Sequence, residues 1–150
     1  MVVGIVKSTY KDALENIEKL MDLIEYKPKK KKIFIKPNLV DALSPRSAVI
    51  VHYKLLFALY NYFINQDGVE EVVIGDGTGF FTKPEHFEKV VKATKSYKLE
   101  KEFGIKILNL EHEDRVSVEW KYGKVNLAKI AFDEDYEYIN VPKMKTHTLT

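Results

Sequence analysis

Short apolar segments that alternate with stretches of helical periodicity constrain the fold of this chain most strongly. Residues 2–6, 33–35 and 71–74 each suit a buried strand. Between them, apolar residues recur at helical spacing over residues 10–25, and a largely buried helix is predicted over residues 49–64. Connections of this length carry the chain from the end of one strand back to the start of the next, which makes the strands parallel. The sequence therefore predicts a layered α/β fold with a mostly parallel central sheet and flanking helices.

The second half of the chain extends this pattern and interrupts it once. A further helix is predicted to begin after Thr82 and to run, or restart, as far as Phe103. Four more strands are predicted, at residues 105–110, 116–120, 125–130 and 138–141. The middle two form an inserted β-hairpin that turns at Tyr122-Gly123. Because the length suits one core and no low-complexity linker is present, we expect residues 1–150 to form a single domain.

Composition excludes several classes of function. A net charge of +2 gives no broad attraction to nucleic acid or anionic membranes, and no stretch is long and apolar enough to cross a bilayer. The absence of cysteine excludes disulfides and thiolate metal sites within these residues, including an iron–sulfur cluster. Only two of the 24 basic residues are arginine, and a Lys- and Glu-rich chain without cysteine is typical of thermophiles. We expect a cytoplasmic protein with no membrane or nucleic acid partner.

Polar and glycine residues follow several of the predicted parallel strands. In an open parallel sheet, ligands bind beyond the carboxyl ends of the strands. The first of these strand ends is followed by "KPN", the next contains "GDGTG", and the last runs into "PKMKTH". The candidate site residues at this edge are Lys36, Asn38, Gly75, Asp76, Gly77, Thr78, Gly79, Lys143, Lys145 and His147.

These residue types point to an anionic ligand. In an extended segment alternate side chains share a face, so Lys143, Lys145 and His147 are expected to project together, and they repel one another unless an anion lies among them. Lys36 interrupts an apolar strand and needs a counter-charge or a ligand. We assign ligand binding to Lys36, Asn38, Gly75, Gly77, Thr78, Gly79 and Lys143, and acid–base or orienting roles to His147, Lys145 and Asp76. The alternatives are an ordinary glycine turn and a strand end whose lysines reach water.

The same motifs resemble a known family. The blocks "IFIKPNLV", "VVIGDGTG" and "INVPKMKTH" are similar, in this order and spacing, to the family called domain of unknown function 362. The resemblance implies an α/β domain without an agreed reaction, and a longer family domain of which this chain is a truncated part. Many relatives carry iron–sulfur motifs, which this cysteine-free chain lacks. A remoter similarity links the family to the lactate racemase fold, where lysine and histidine serve a nickel-pincer cofactor.

Three functions are compatible with these observations. The first is an enzyme domain that binds a small carboxylate or phosphate ligand at the sheet edge, with an unknown cofactor and no metal site. The second is a redox module that works beside an iron–sulfur partner or a missing C-terminal half. The third is a lysine-rich nucleic-acid-binding module, against which the near-neutral charge argues. A sheet whose last strand lacks a covering helix also allows a homo-oligomer.

Overall fold

The computed structural model, which describes residues 2–78 and 86–146, confirms the α/β architecture. Helix α1 spans Ala13–Leu23 and is followed by strand β1, Lys32–Pro37. The remaining elements, in chain order, are α2 (Tyr53–Ile64), β2 (Glu71–Asp76), α3 (His86–Ala93), α4 (Tyr97–Phe103), β3 (Ile107–Asn109), β4 (Arg115–Trp120), β5 (Gly123–Ala128) and β6 (Tyr136–Val141). None of the helices in the described ranges is long and apolar enough to cross a membrane.

The central sheet has four strands in the order β3-β2-β1-β6, and every neighbouring pair is parallel. Strands β1 and β6 pair over their full length, from Lys32 opposite Tyr136 to Pro37 opposite Val141. Strands β4 and β5 form a separate antiparallel hairpin. The carboxyl ends of β1, β2 and β6 therefore meet at one edge of the sheet, as the alternating sequence pattern predicts.

The two faces of the sheet are covered differently. Ile33 and Ile35 of β1 belong to one core cluster with Ile74 of β2, Ile17 of α1 and Phe63 of α2. Burial of this cluster is the main hydrophobic contribution to the stability of the domain. Because side chains alternate along a strand, the residues between these isoleucines face the other side of the sheet. That side carries the hairpin and a 3-10 helix at Lys129–Phe132, and it leaves a cleft along the sheet.

The strand predicted at residues 2–6 does not form. Val2, Val3 and Ile5 are 69%, 78% and 88% exposed, and the segment pairs with no described strand. Both edges of β1 are already occupied, by β2 and β6, so no position next to β1 remains for this segment. Gly4 instead lies against α1, where an added Cβ would approach Ile24 Cγ2 to 2.6 Å.

The helix predicted over residues 49–64 begins four residues later, at Tyr53. Ile50 and Val51 are 0% and 2% exposed, but they are buried in the loop before the helix. His52 ends this loop in an extended conformation and caps α2, because its Nδ1 accepts a hydrogen bond from Lys54 N at 3.1 Å. The apolar pattern therefore predicted correctly that these two residues are buried, but it placed the start of the helix four residues too early.

The predicted helix that ends at Phe103 is two helices, with a tight connection at residues 94–96. Thr94 and Ser96 are buried, and their hydroxyl groups hydrogen-bond at 2.8 Å. Lys95 between them takes the left-handed conformation, with φ of 61°. The predicted start of this helix, at residues 82–85, lies outside the described residues. Gly104 ends α4 in the left-handed conformation, as the sequence predicts.

A pair of glycine substitutions tests the packing of β2 against its neighbours. An added Cβ at Gly75 would lie 3.0 Å from Leu110 Cδ2 and 3.1 Å from Phe34 Cε2, whereas one at Gly77 meets nothing closer than 3.7 Å. We predict that Gly75→Ala lowers the free energy of unfolding by roughly 1–3 kcal/mol, the usual cost of overpacking. The matched control Gly77→Ala should change it by less than about 0.5 kcal/mol. Urea denaturation measures both, and equal stability of the two variants would show that the close contacts at Gly75 are wrong.

Candidate functional site

A buried ion pair joins the ends of β1 and β2. Lys36 Nζ lies 2.7 Å from Asp76 Oδ1, and the Asp76 side chain is only 4% exposed while that of Lys36 is 34% exposed. Leu39 N donates to Asp76 Oδ2 at 2.6 Å, and Gly77 N donates to Oδ1 at 2.9 Å. The carboxylate thus receives one ammonium and two amide hydrogen bonds, which offset the free energy of burying its charge.

The position of Lys36 explains why a lysine interrupts an apolar strand. Alternation places it on the same face as Phe34, away from α1 and α2, and both residues line the cleft. Its ammonium donates to Asp76 Oδ1 and, at 3.1 Å, to the Pro37 carbonyl oxygen. A lysine ammonium has three donors. Among the described residues only two of them are used, so one N–H is available to a ligand in the cleft.

The glycine-rich segment after β2 binds carboxylates of the chain itself. Gly77 N donates to Asp76, and Thr78 donates to Glu111 Oε1 both from its backbone N, at 2.8 Å, and from its hydroxyl group. Gly75 is a glycine because its neighbours leave no space for a Cβ. These amides would have to exchange partners before they could bind an anion from solution. Gly79 lies outside the described residues.

The cleft beside the ion pair has a volume of about 540 Å³ and two chemically different ends. Its polar end contains Lys36, Asp76, Thr78 and Glu111. Its apolar walls are formed by Phe34, Leu110, Leu127, Phe132 and Tyr138. Burial, and secondarily the charge of Asp76, raises the pKa of the Tyr138 hydroxyl, which therefore stays protonated at neutral pH.

Asn38, Lys143 and Lys145 lie at the same sheet edge, but outside the cleft. Lys145 Nζ donates to the Val49 carbonyl oxygen at 3.1 Å, so the segment after β6 contacts the loop that precedes α2. Lys143 acts electrostatically on His52 in that loop. Neither lysine lines the cleft that contains Lys36. Asn38 is half-buried, and its carbonyl oxygen accepts a hydrogen bond from Val51 N at 3.0 Å. His147 lies outside the described residues.

Two cleft residues carry no strong sequence signal. Glu111 follows β3 in the chain and receives both hydrogen bonds of Thr78. Arg115 donates to the Glu111 carbonyl oxygen at 3.0 Å and to the Asn126 carbonyl oxygen at 3.2 Å, which ties the hairpin to the end of β3. Within residues 2–78 and 86–146, no group of three or more His, Cys, Asp or Glu side chains can hold a metal ion. The position of Glu111 directly after a predicted strand is the sequence feature that could have indicated it as a site residue.

The fold and site define an α/β domain with a parallel sheet and a polar cleft at its carboxyl edge. The chain belongs to the family described as "Domain of unknown function (DUF362)", whose model matches residues 33–150. No curated protein and no solved structure matches the chain. The remote similarity to the lactate racemase fold is therefore not supported by these comparisons.

Removal of one buried charge tests the energetic role of the ion pair. Asp76→Asn leaves Lys36 without its counter-charge and replaces one acceptor oxygen by a donor group among three donors. We predict a loss of about 3 kcal/mol in the free energy of unfolding, as for other broken buried pairs. The matched control is Glu70→Gln, which breaks the exposed Lys31–Glu70 pair of 2.6 Å and should cost less than about 1 kcal/mol. Denaturant unfolding measures both variants. Similar losses in the free energy of unfolding would contradict a structural role for Asp76.

Proposed function

We propose that this domain binds a small anionic ligand at the carboxyl edge of its sheet and forms part of a cytoplasmic enzyme. The observation that carries this proposal is the Lys36–Asp76 pair, in which a lysine that lines the cleft has only two hydrogen-bond acceptors among the described residues. The family match supports an α/β domain of this kind and assigns no reaction. Lys36 is the anchor for the ligand in this proposal.

The surroundings of Lys36 favour a particular kind of anion. Asp76 compensates the charge of the ammonium, so the ligand is held by a hydrogen bond to a nearly neutral pair rather than by a bare cation. Phe34, Leu127 and Phe132 supply apolar surface beside this anchor. A carboxylate attached to an apolar body therefore fits better than a small, strongly hydrated ion, because only the former buries apolar area.

The other candidate residues take roles that follow from their positions. Asp76 is a positioning residue: its Oδ1 holds the Lys36 ammonium, and its two oxygens accept hydrogen bonds from Leu39 N and Gly77 N. Asn38 follows β1 at the same edge and is proposed to contribute its side-chain amide, whereas Thr78 would contribute donors only after it releases Glu111. Lys145, which follows β6 at the same edge, and His147, two residues further along the sequence, are proposed as acid–base groups, since the unperturbed pKa of histidine is near neutral pH. Lys143 contributes positive potential to that end of the site.

Ligand titrations distinguish this function from a solvated lysine at a strand end. We predict that phenylacetate, added to ¹⁵N-labelled protein, shifts the amide signals of residues 36, 38, 39 and 76–78 and does so at lower concentration than acetate. Lys36→Met removes the anchor and should weaken phenylacetate binding by about tenfold, the value of one charge-assisted hydrogen bond. Lys31→Met, at the opposite edge of the sheet, is the control and should bind as wild type.

Two results would contradict the proposal. One is a set of shifts that avoids residues 36, 38, 39 and 76–78 altogether. The other is unchanged phenylacetate affinity in Lys36→Met, provided that the variant keeps the amide spectrum of a folded protein. Lys36→Arg serves as a second variant if the methionine variant unfolds, because it retains the counter-charge for Asp76 and changes the geometry of the donors.

A further inference from the structure

A second pocket at the same sheet edge is lined by cations. It has a volume of about 310 Å³ and lies beside the first turn of α2; we call it the α2 pocket. Its lining residues are Tyr10, Ser44, Pro45, Arg46, His52, Tyr53, Lys54 and Lys95. It shares no lining residue with the cleft that contains Lys36.

The charges of this pocket come from separate parts of the chain. Arg46 lies in the loop before α2, Lys54 in the first turn of that helix, and Lys95 in the connection between α3 and α4. No carboxylate is among the lining residues, although the chain has 22 acidic residues. Within the described residues none of the three cations forms an ion pair, in contrast to Lys19, Lys31 and Lys98 elsewhere on the surface.

Positive charges around the pocket act on the pKa of His52. Burial lowers the pKa of this histidine, and the charges of Lys54, Lys143 and Lys95 lower it further. All the charged neighbours that act on the ring are therefore lysines. Its Nδ1 accepts from Lys54 N, so the neutral ring carries its proton on Nε2 and has a donor left. The ring of Tyr10 stacks on the imidazole ring of His52, with the two centroids 4.0 Å apart.

We propose that the α2 pocket binds a phosphate group, as the free ion or as the terminal group of a small phosphorylated molecule. A compact dianion would form ion pairs with Arg46, Lys54 and Lys95, which have no carboxylate partner among the described residues, and would reduce the repulsion between them. Lysine and arginine ammonium and guanidinium groups, with a histidine N–H, form the donor set that phosphate oxygens accept. The start of α2 at this pocket adds a partial positive charge of the same sign. Phosphate binding here does not depend on the function proposed for the cleft.

The experiment titrates labelled protein with inorganic phosphate and with glycerol phosphate, at constant ionic strength set by sodium chloride. Saturable shifts of the amides of residues 44, 46, 52–54 and 95 are expected. The pKa of His52, followed through its ring protons, should rise on binding, because the added negative charge offsets the neighbouring lysines. Tighter binding of glycerol phosphate identifies a phosphorylated molecule as the ligand, and equal affinity identifies the free ion; both support a phosphate site.

Charge-removing variants make the test specific. Lys95→Gln and Lys54→Gln should each weaken phosphate binding by roughly three- to tenfold, as expected for one partly exposed charge-assisted hydrogen bond. Lys124→Gln on the β-hairpin removes the same charge elsewhere and should have no effect. The amide shifts of residues 36, 38, 39 and 76–78 are followed in the same spectra, so that failure of the cleft and failure of this pocket remain distinguishable. Equal affinity in Lys95→Gln and Lys124→Gln, or shifts confined to the cleft, would overturn the proposal.

Discussion

The buried carboxylate of Asp76 is the interaction on which the carboxyl edge of this domain depends. It binds the ammonium of Lys36 from the neighbouring strand and the amides of Leu39 and Gly77 from two different loops. One side chain thus fixes the end of β1, the end of β2 and the start of both following loops. Because an unpaired charge at a position 3% exposed is strongly unfavourable, the geometry of all these partners is coupled.

This coupling also determines what the site can bind. A lysine that projected from the sheet without a counter-charge would attract any anion, whereas Lys36 is part of a nearly neutral pair with one donor left. Stronger positive potential lies elsewhere at the same edge, where Arg46, Lys54 and Lys95 line a pocket without a carboxylate. The edge therefore has two different pockets, one with apolar walls and one lined by several cations. The difference arises because Lys36 faces the hairpin side of the sheet and α2 covers the other.

Sequence reasoning succeeded where one local pattern has one structural solution. Alternation of apolar strands with helical segments predicted the parallel sheet, and strand-end position placed Asn38, Asp76 and Lys143 at one edge. It failed where an apolar run was the only signal: Val2 and Ile5 are exposed and join no described strand, and Ile50 is buried in a loop rather than in a helix. The interrupted apolar strand predicted that Lys36 needs a counter-charge or a ligand, and Asp76 supplies the counter-charge. The α2 pocket could not be found, because Arg46, Lys54 and Lys95 are brought together only by tertiary packing.

A crystal structure of the protein with phenylacetate tests the central claim most directly, namely that the Lys36–Asp76 pair is the anchor for an anionic ligand. We predict a carboxylate oxygen about 3 Å from Lys36 Nζ, the distance of a charge-assisted hydrogen bond, with the phenyl ring against Phe34 and Phe132. Asp76 should keep its hydrogen bonds to Lys36, Leu39 and Gly77. Two results would contradict this role of Lys36: a protein atom that accepts the third hydrogen bond of its ammonium, or phenylacetate bound only outside the cleft.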